Sequence, residues 1–321
     1  MSRAFLMGCL SLLLAMAGRG VAQDDSIFTP PIVDHHHPTY GPSSTLPSTP
    51  DPEDGKVTGG AYINDYFQLR FPLLGGWQPD IDAQSSSPSN TGHYALTSLH
   101  TNRELRGIVV VDAQDMFFSS FPIRGAADFA QRKEHAIATL TDVIDRPSRS
   151  VQLAGHEWIR LDYSGAGIHH ADFFTIIRCH AVSIQLSSRF PEVLKSLADN
   201  MANLSLRERS DLASNDSPAP LCLKDYASDS TVLHQVTPAM VGPRFTEVPA
   251  RFVIDANGRV KHIHVVNALP DQAKSVEDAL AQWVFKPYMV NGQPADVETG
   301  ILFKFPPKDD SFGVRAATSS Y

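Results

Sequence analysis

Phe252-Val253-Ile254-Asp255-Ala256-Asn257-Gly258-Arg259-Val260-Lys261-His262-Ile263-His264-Val265-Val266 is the stretch that decides how the C-terminal part of this chain folds. Two apolar runs, 252–254 and 260–266, flank an Asn-Gly pair, and that pair between strands is the strongest short cue for a β-hairpin. Downstream, Val276, Ala279, Leu280 and Trp283 return at helical spacing, which predicts an amphipathic helix over 274–284 with its indole buried. After Phe285-Lys286-Pro287, the run Asn291-Gly292-Gln293-Pro294 reads as a turn. Val297, Thr299, Ile301 and Phe303 then alternate with Glu298, Gly300, Leu302 and Lys304 as a last strand. The predicted unit is a small β-β-α-β domain over 232–307.

These residues resemble the TonB C-terminal domain family, that of the energy transducer TonB. Asp255, Gly258, Val260, Trp283, Phe285, Pro287, Asn291, Gly292 and Pro294 stand in the order of that family's pattern, over roughly 236–305. The resemblance implies a module that pairs an exposed sheet edge with an extended peptide, where backbone hydrogen bonds supply affinity and alternate side chains specificity. The implied partners are a TonB-dependent outer-membrane receptor or other envelope transport proteins. By the same resemblance the peptide edge is the last strand: Val297, Glu298, Thr299, Gly300, Ile301 and Leu302. The opposing reading, equally open at this point, is a strand covered by the other domain or by the tail at 308–321. Three features depart from a force-transmitting transducer: no durable anchor, no long proline-rich span ahead of the module, and no Tyr-Pro element at its start. An accessory member binding in the periplasm is the expectation.

Working outward, 321 residues suit two domains. Strands are predicted at 62–71, 94–101, 107–112, 151–153, 156–163, 172–177 and 181–187, with helices over 126–144 and 191–203. The continuous Ile108-Val109-Val110-Val111 run suggests burial on both faces, and Pro147 suggests a helix stop. The fold class is α+β: an antiparallel-sheet, two-helix sandwich over 61–207, both helices on one sheet face, followed by the small C-terminal domain. The opening Asn64-Asp65-Tyr66-Phe67 to Gly76-Trp77, with this element order, is distantly similar to the PsbP-type fold over 62–206. Such likeness carries no activity with it. Residues 23–60 read as a disordered Pro/Ser/His-rich tether, and 208–231 as a linker.

Residues 1–22 read as a signal peptide: Arg3, an apolar core at 10–17, then Gly20-Val21-Ala22, with cleavage near Ala22 and release to the periplasm. No retained membrane span is expected, since 4–17 is too short to cross a bilayer. Cys9 follows Leu6-Met7-Gly8 as in a lipoprotein box, but most of the apolar core lies after it, against lipidation. Cys179 and Cys222 form a pairable couple in an oxidising compartment; a disulfide and two separate thiols both fit their spacing. A net charge of −8 with scattered Lys and Arg argues against nucleic acid.

Neither a Gly-x-Ser-x-Gly elbow nor a Cys with His-Asn support appears, and Tyr163-Ser164-Gly165 is only a turn. The chain is read as a non-enzyme with no cofactor. His169-His170-x-Asp172 is the best catalytic or metal cluster, although only His170 and Asp172 share a strand face. His35-His36-His37, and His262 with His264 on one strand face, lack the further ligands a metal needs, so no metal is expected. Arg178 and His180 flank Cys179, where they would lower a free thiol's pKa. The competing function is a secreted ligand-binding protein or enzyme acting through the N-terminal domain, which requires a deep polar pocket there.

Overall fold

The computed structural model describes residues 41–44, 51–79, 91–100, 107–206, 220–242 and 245–306. The expected export segment at 1–22, His35-His36-His37, the first half of the expected linker and the 308–321 tail lie outside the described residues. In chain order the N-terminal part carries β1 (Gly41–Ser44), β2 (Lys56–Thr58), β3 (Ala61–Asn64), β4 (Leu69–Pro72), β5 (Gln78–Pro79), β6 (His93–His100) and β7 (Gly107–Asp115). It continues through α1 (Ala126–Ala138), β8 (Val143–Leu153), β9 (His156–Gly165), β10 (Ile168–Ile177), β11 (His180–Ser188), α2 (Pro191–Asn200) and β12 (Ser205–Leu206). The C-terminal part adds β13 (Leu221–Cys222), β14 (Val232–His234), β15 (Glu247–Ile254), β16 (Val260–Ala268) and α3 (Pro270–Leu280). Last come β17 (Val284–Phe285), β18 (Tyr288–Val290), β19 (Gln293–Ala295) and β20 (Val297–Lys304).

The fold is mixed and dominated by sheets. A seven-stranded antiparallel sheet, ordered β5-β6-β7-β11-β10-β9-β8, forms the N-terminal platform. Its residues Val109, Val111, Phe173, Ile184 and Leu186 pack with Leu197 of α2 and with Tyr62, Leu69 and Phe71 of the small sheet β12-β4-β3-β2. On the opposite face Leu161, Tyr163, Phe174 and Ala181 pack against Phe129, Ala130 and Ile137 of α1. The helices therefore lie on opposite faces, not on one as expected. Alternation along β10 and β11 gives each helix its own set of apolar residues, so the sheet is buried from both sides.

Local chemistry explains the other departures. The expected strand over 62–71 is a hairpin, because Asn64 Oδ1 accepts the Phe67 N–H at 3.0 Å and Gln68 takes φ +54°. α1 ends at Ala138, where Thr139 Oγ1 donates back to Ala136 O; Leu140 is exposed and Ile144 belongs to β8. Pro147 sits within that sheet-edge strand, where a missing N–H leaves the ladder intact. Ile108 is exposed, so β7 is buried on one face at its start rather than on both.

In the C-terminal module the sheet runs β1-β16-β15-β20-β13, and α3 packs Val276 and Leu280 onto Val248, Phe252 and Val265. The β15–β16 connection is not a two-residue Asn-Gly turn. Asp255 Oδ1 accepts the N–H groups of Asn257 and Arg259, Gly258 N–H bonds Asp255 O, and Gly258 alone takes positive φ, +80°. A Cβ on Gly258 would overlap Phe285 O, and Phe285 N–H donates to Gly258 O at 2.8 Å. Trp283, buried beside it, donates its indole N–H to Val236 O at 2.8 Å. Asn291 and Gly292, both at positive φ, do form the two-residue turn joining β18 to β19. The spacing of Asp255, Gly258, Trp283 and Phe285 thus encodes one local contact set. Two further stretches read as unstructured are built into this sheet: β1, from the tether, lies on β16, and β13, from the linker, on β20.

Candidate functional site

Strand β20 carries the six residues nominated as the peptide edge. On one side it is fully paired with β15, from Ile254↔Val297 to Glu247↔Lys304. On its other side β13 runs parallel to it, with Leu221 N–H bonded to Asp296 O at 2.9 Å and Leu223 N–H to Glu298 O at 3.0 Å. Because backbone groups alternate sides along a strand, the residues facing this edge are 296, 298, 300 and 302. β13 covers the first two. Gly300 and Leu302 instead line a cleft of about 460 Å³ between the two parts of the molecule, with Ile301, Thr91, Phe117, Phe118, Lys224 and Glu247 among its walls. The six sequence-predicted edge residues are therefore divided: Val297 and Thr299 are buried, Glu298 is capped, and Gly300, Ile301 and Leu302 border open space.

The cleft keeps its shape because its walls are joined behind it. Arg251 of β15 is buried, its Nη1 donating to Asp115 Oδ2 of β7 at 2.8 Å and its Nη2 to Glu298 Oε1 at 2.5 Å. Burial works against the Arg251 charge, but Asp115, Tyr66 and Glu298 hold its pKa well above the ordinary value. Burial lifts the Asp115 carboxyl, opposed by Arg251 and by the Phe117 N–H it accepts at 2.7 Å. His180 donates from Nδ1 to Arg178 O at 2.7 Å, which leaves Nε2 as the acceptor facing Arg251 Nη1. Burial first, then Arg251, keeps that imidazole neutral, its pKa well below the ordinary value. Tyr66, Phe67 and Tyr94 enclose its ring edge-on.

Cys179 and Cys222 are bridged, with Cα atoms 5.6 Å apart, which resolves the open choice between disulfide and separate thiols. Cys179 sits in the tight β10–β11 turn with Arg178, both at positive φ, +62° and +48°. Non-glycine residues there carry strain, offset by Arg178 Nη1 donating to Tyr66 O at 2.7 Å and by its guanidinium lying 4.0 Å from the Tyr66 ring centre.

The remaining nominated residues lie elsewhere. His262 and His264 do not share a face: His262 takes φ +53° in a bulge, and His264 turns inward, 3.3 Å from Asp51 Oδ1 and 3.5 Å from Glu53 Oε1. His170 and Asp172 do share a face. His170 stacks on Tyr163 at 4.4 Å and meets Ser187 Oγ at 2.8 Å, while Asp172 lies buried 3.7 Å from Lys133 Nζ of α1. Burial lowers His170 to about 4 and raises Asp172 to about 6. These groups are packed between α1 and the sheet, away from the cleft. Sequence reasoning missed Arg251, Asp115, Phe117 and Phe118; an arginine inside the apolar run Ala250 to Ile254 was the available signal for the first.

Residues 246–306 match the family model of the Gram-negative bacterial TonB protein C-terminal. No curated protein matches the chain. Among solved structures, cyanobacterial PsbP from Synechocystis sp. PCC 6803 is similar at 18% identity and a TM-score of 0.35, covering 48% of this chain and 98% of that one. Among the described residues no helix is long and apolar enough to cross a membrane.

Proposed function

We propose that this chain is a periplasmic, non-enzymatic binding protein of TonB-type envelope transport. It takes an extended segment of an outer-membrane receptor or transport protein onto the free half of β20. One observation carries the reading: Gly300 and Leu302 face a cleft walled by Phe117 and Phe118, so a peptide strand has both backbone partners and an apolar bed there. The family match over 246–306 supports the transport context. Export with cleavage near Ala22 belongs to the same reading. A ligand site or enzyme centre in the N-terminal domain has less support, since Asp172 of its best cluster is fully buried against Lys133 of α1.

The test is capture from the detergent-solubilised envelope of the source organism by the immobilised mature chain, comparing wild type with Leu302→Pro. The proline removes an N–H aimed at the cleft and leaves the β15 ladder intact. Ile301→Pro is the contrasting variant, because its N–H faces β15 and its loss damages the sheet itself. Capture of TonB-dependent receptors that Leu302→Pro abolishes while circular dichroism stays native is the expected result. Equal capture by both proteins rejects the edge as the site.

A further inference from the structure

The segment closing the first half of the β20 edge is thinly packed. Leu221 is 40% exposed and Cys222 is exposed as well, whereas Val297 beside them is fully buried. The two-residue parallel ladder, the N–H groups of Leu221 and Leu223, and the carbonyl of Lys224, which accepts from Thr299 Oγ1 at 3.3 Å, tie this segment to β20. A strand with so little buried apolar surface opens locally at low cost unless something else holds it. The Cys179–Cys222 bond is that holder: one sulfur sits in the rigid β10–β11 turn, the other on the exposed strap.

We propose that residues 220–223 are a redox-released strap over the binding edge. This rests on the reading of β20 as that edge and adds its regulation. A dithiol reductant attacks as thiolate at the Sγ of Cys222, an exposed residue; the Sγ–Sγ bond breaks and Cys179 leaves as thiolate, then takes a proton. The reductant's second thiol displaces Cys222, so two electrons pass to the protein and the reductant ends as its own disulfide. The freed Cys179 has an acceptor at hand, since its Sγ lies 3.5 Å from Glu298 Oε2. Arg251 with Asp115, and Gly300 against Phe117 and Phe118, still join the two parts without the bond. Release therefore lengthens the free edge from Gly300 and Leu302 back to Asp296, and leaves the sheet standing.

Hydrogen exchange on the full mature chain, with and without dithiothreitol and in Cys222→Ser, tests this. Exchange at the Leu221 and Leu223 amides is expected to quicken about a hundredfold on reduction and in the variant, while Phe252 and Ile263 stay protected. Unchanged protection at 221 and 223 overturns the strap. Protection lost across β15 and β16 also overturns it, because the bond is then a staple of the whole module. In the receptor capture described above, reduced chain is expected to retain about ten times more than oxidised chain. Equal capture in both states rejects the regulation while leaving the binding reading standing; capture in neither state, with the strap released, rejects the binding reading instead.

Discussion

The two edges of the C-terminal sheet are both closed by the chain itself, but by different means. On the β16 side, β1 pairs antiparallel from Gly41↔Ala268 to Ser44↔His264, and Asp51 and Glu53 then clasp His264 from both sides of its ring. That closure is non-covalent and ionisable. On the β20 side, a two-residue parallel strand is held by a disulfide and stops short, leaving Gly300 and Leu302 facing the cleft. A sheet edge left bare is a template for any extended chain, and each edge here is closed in part: β1 reaches from Ala268 back to His264 of β16, and β13 covers Val297 and Glu298 of β20. The central strand β15 carries the residue common to both: Arg251 pairs in register with His264 on one side and Gly300 on the other.

The most damaging way to break this arrangement is at that shared residue. Arg251→Ala leaves Asp115 buried without its cation and Glu298 without its partner; unfolding by denaturant is expected to show a loss of about 3–5 kcal/mol. A loss under 1 kcal/mol in that variant would mean the network is incidental to the joint between the two parts.

The next effect separates the edges by pH. Burial raises Glu53 to about 7, with the His264 charge pulling the other way. Burial opposes the charge on His264, but Glu53 and Asp51 outweigh it, and the imidazole pKa ends raised; Asp54 and Arg251 are the other charges bearing on the pair. Both shifts favour the protonated form in the folded chain. The Glu53 contribution is lost as pH rises from the ordinary carboxylate value of 4.5 to about 7, and that of His264 as pH rises through its raised pKa. Stability is expected to fall by roughly 2 kcal/mol between about pH 5 and pH 8, with exchange quickening at β1 and not at β13. Glu53→Gln should flatten that profile, because it removes one titrating group and the largest cause of the rise in the other; a slope unchanged in the variant assigns the pH dependence elsewhere.

The smallest expected effect lies at the open edge. A Cβ on Gly300 would stand 2.8 Å from Phe117 Cβ and from Phe118 Cζ, so Gly300→Ala must push the N-terminal wall away. A loss of about 1–3 kcal/mol is expected from such overpacking, together with weaker capture of the partner. Stability lost without any change in capture would separate the wall from the binding surface.

Much of the C-terminal module was legible because its signals are local. Gly258 is required where Phe285 approaches the backbone, and Asn291-Gly292 where both turn residues need positive φ; Trp283 was rightly read as buried, although the helix expected over 274–284 runs Pro270–Leu280 and the indole follows it, bonded to Val236 O. Strand and helix positions in the N-terminal sheet followed from period and turn chemistry for the same reason, and Cys179 and Cys222 stood out as a pairable couple. The side of the sheet each helix covers was misread, because α1 and α2 are each amphipathic and nothing in their own residues says which face awaits them. Only tertiary structure decided that β1 and β13, each four residues or fewer, cover parts of the two edges, and that Arg251 meets Asp115 across 136 residues of chain. Those contacts join segments remote in sequence through backbone hydrogen bonds and buried charge, and neither leaves a periodic trace in the residues that make them.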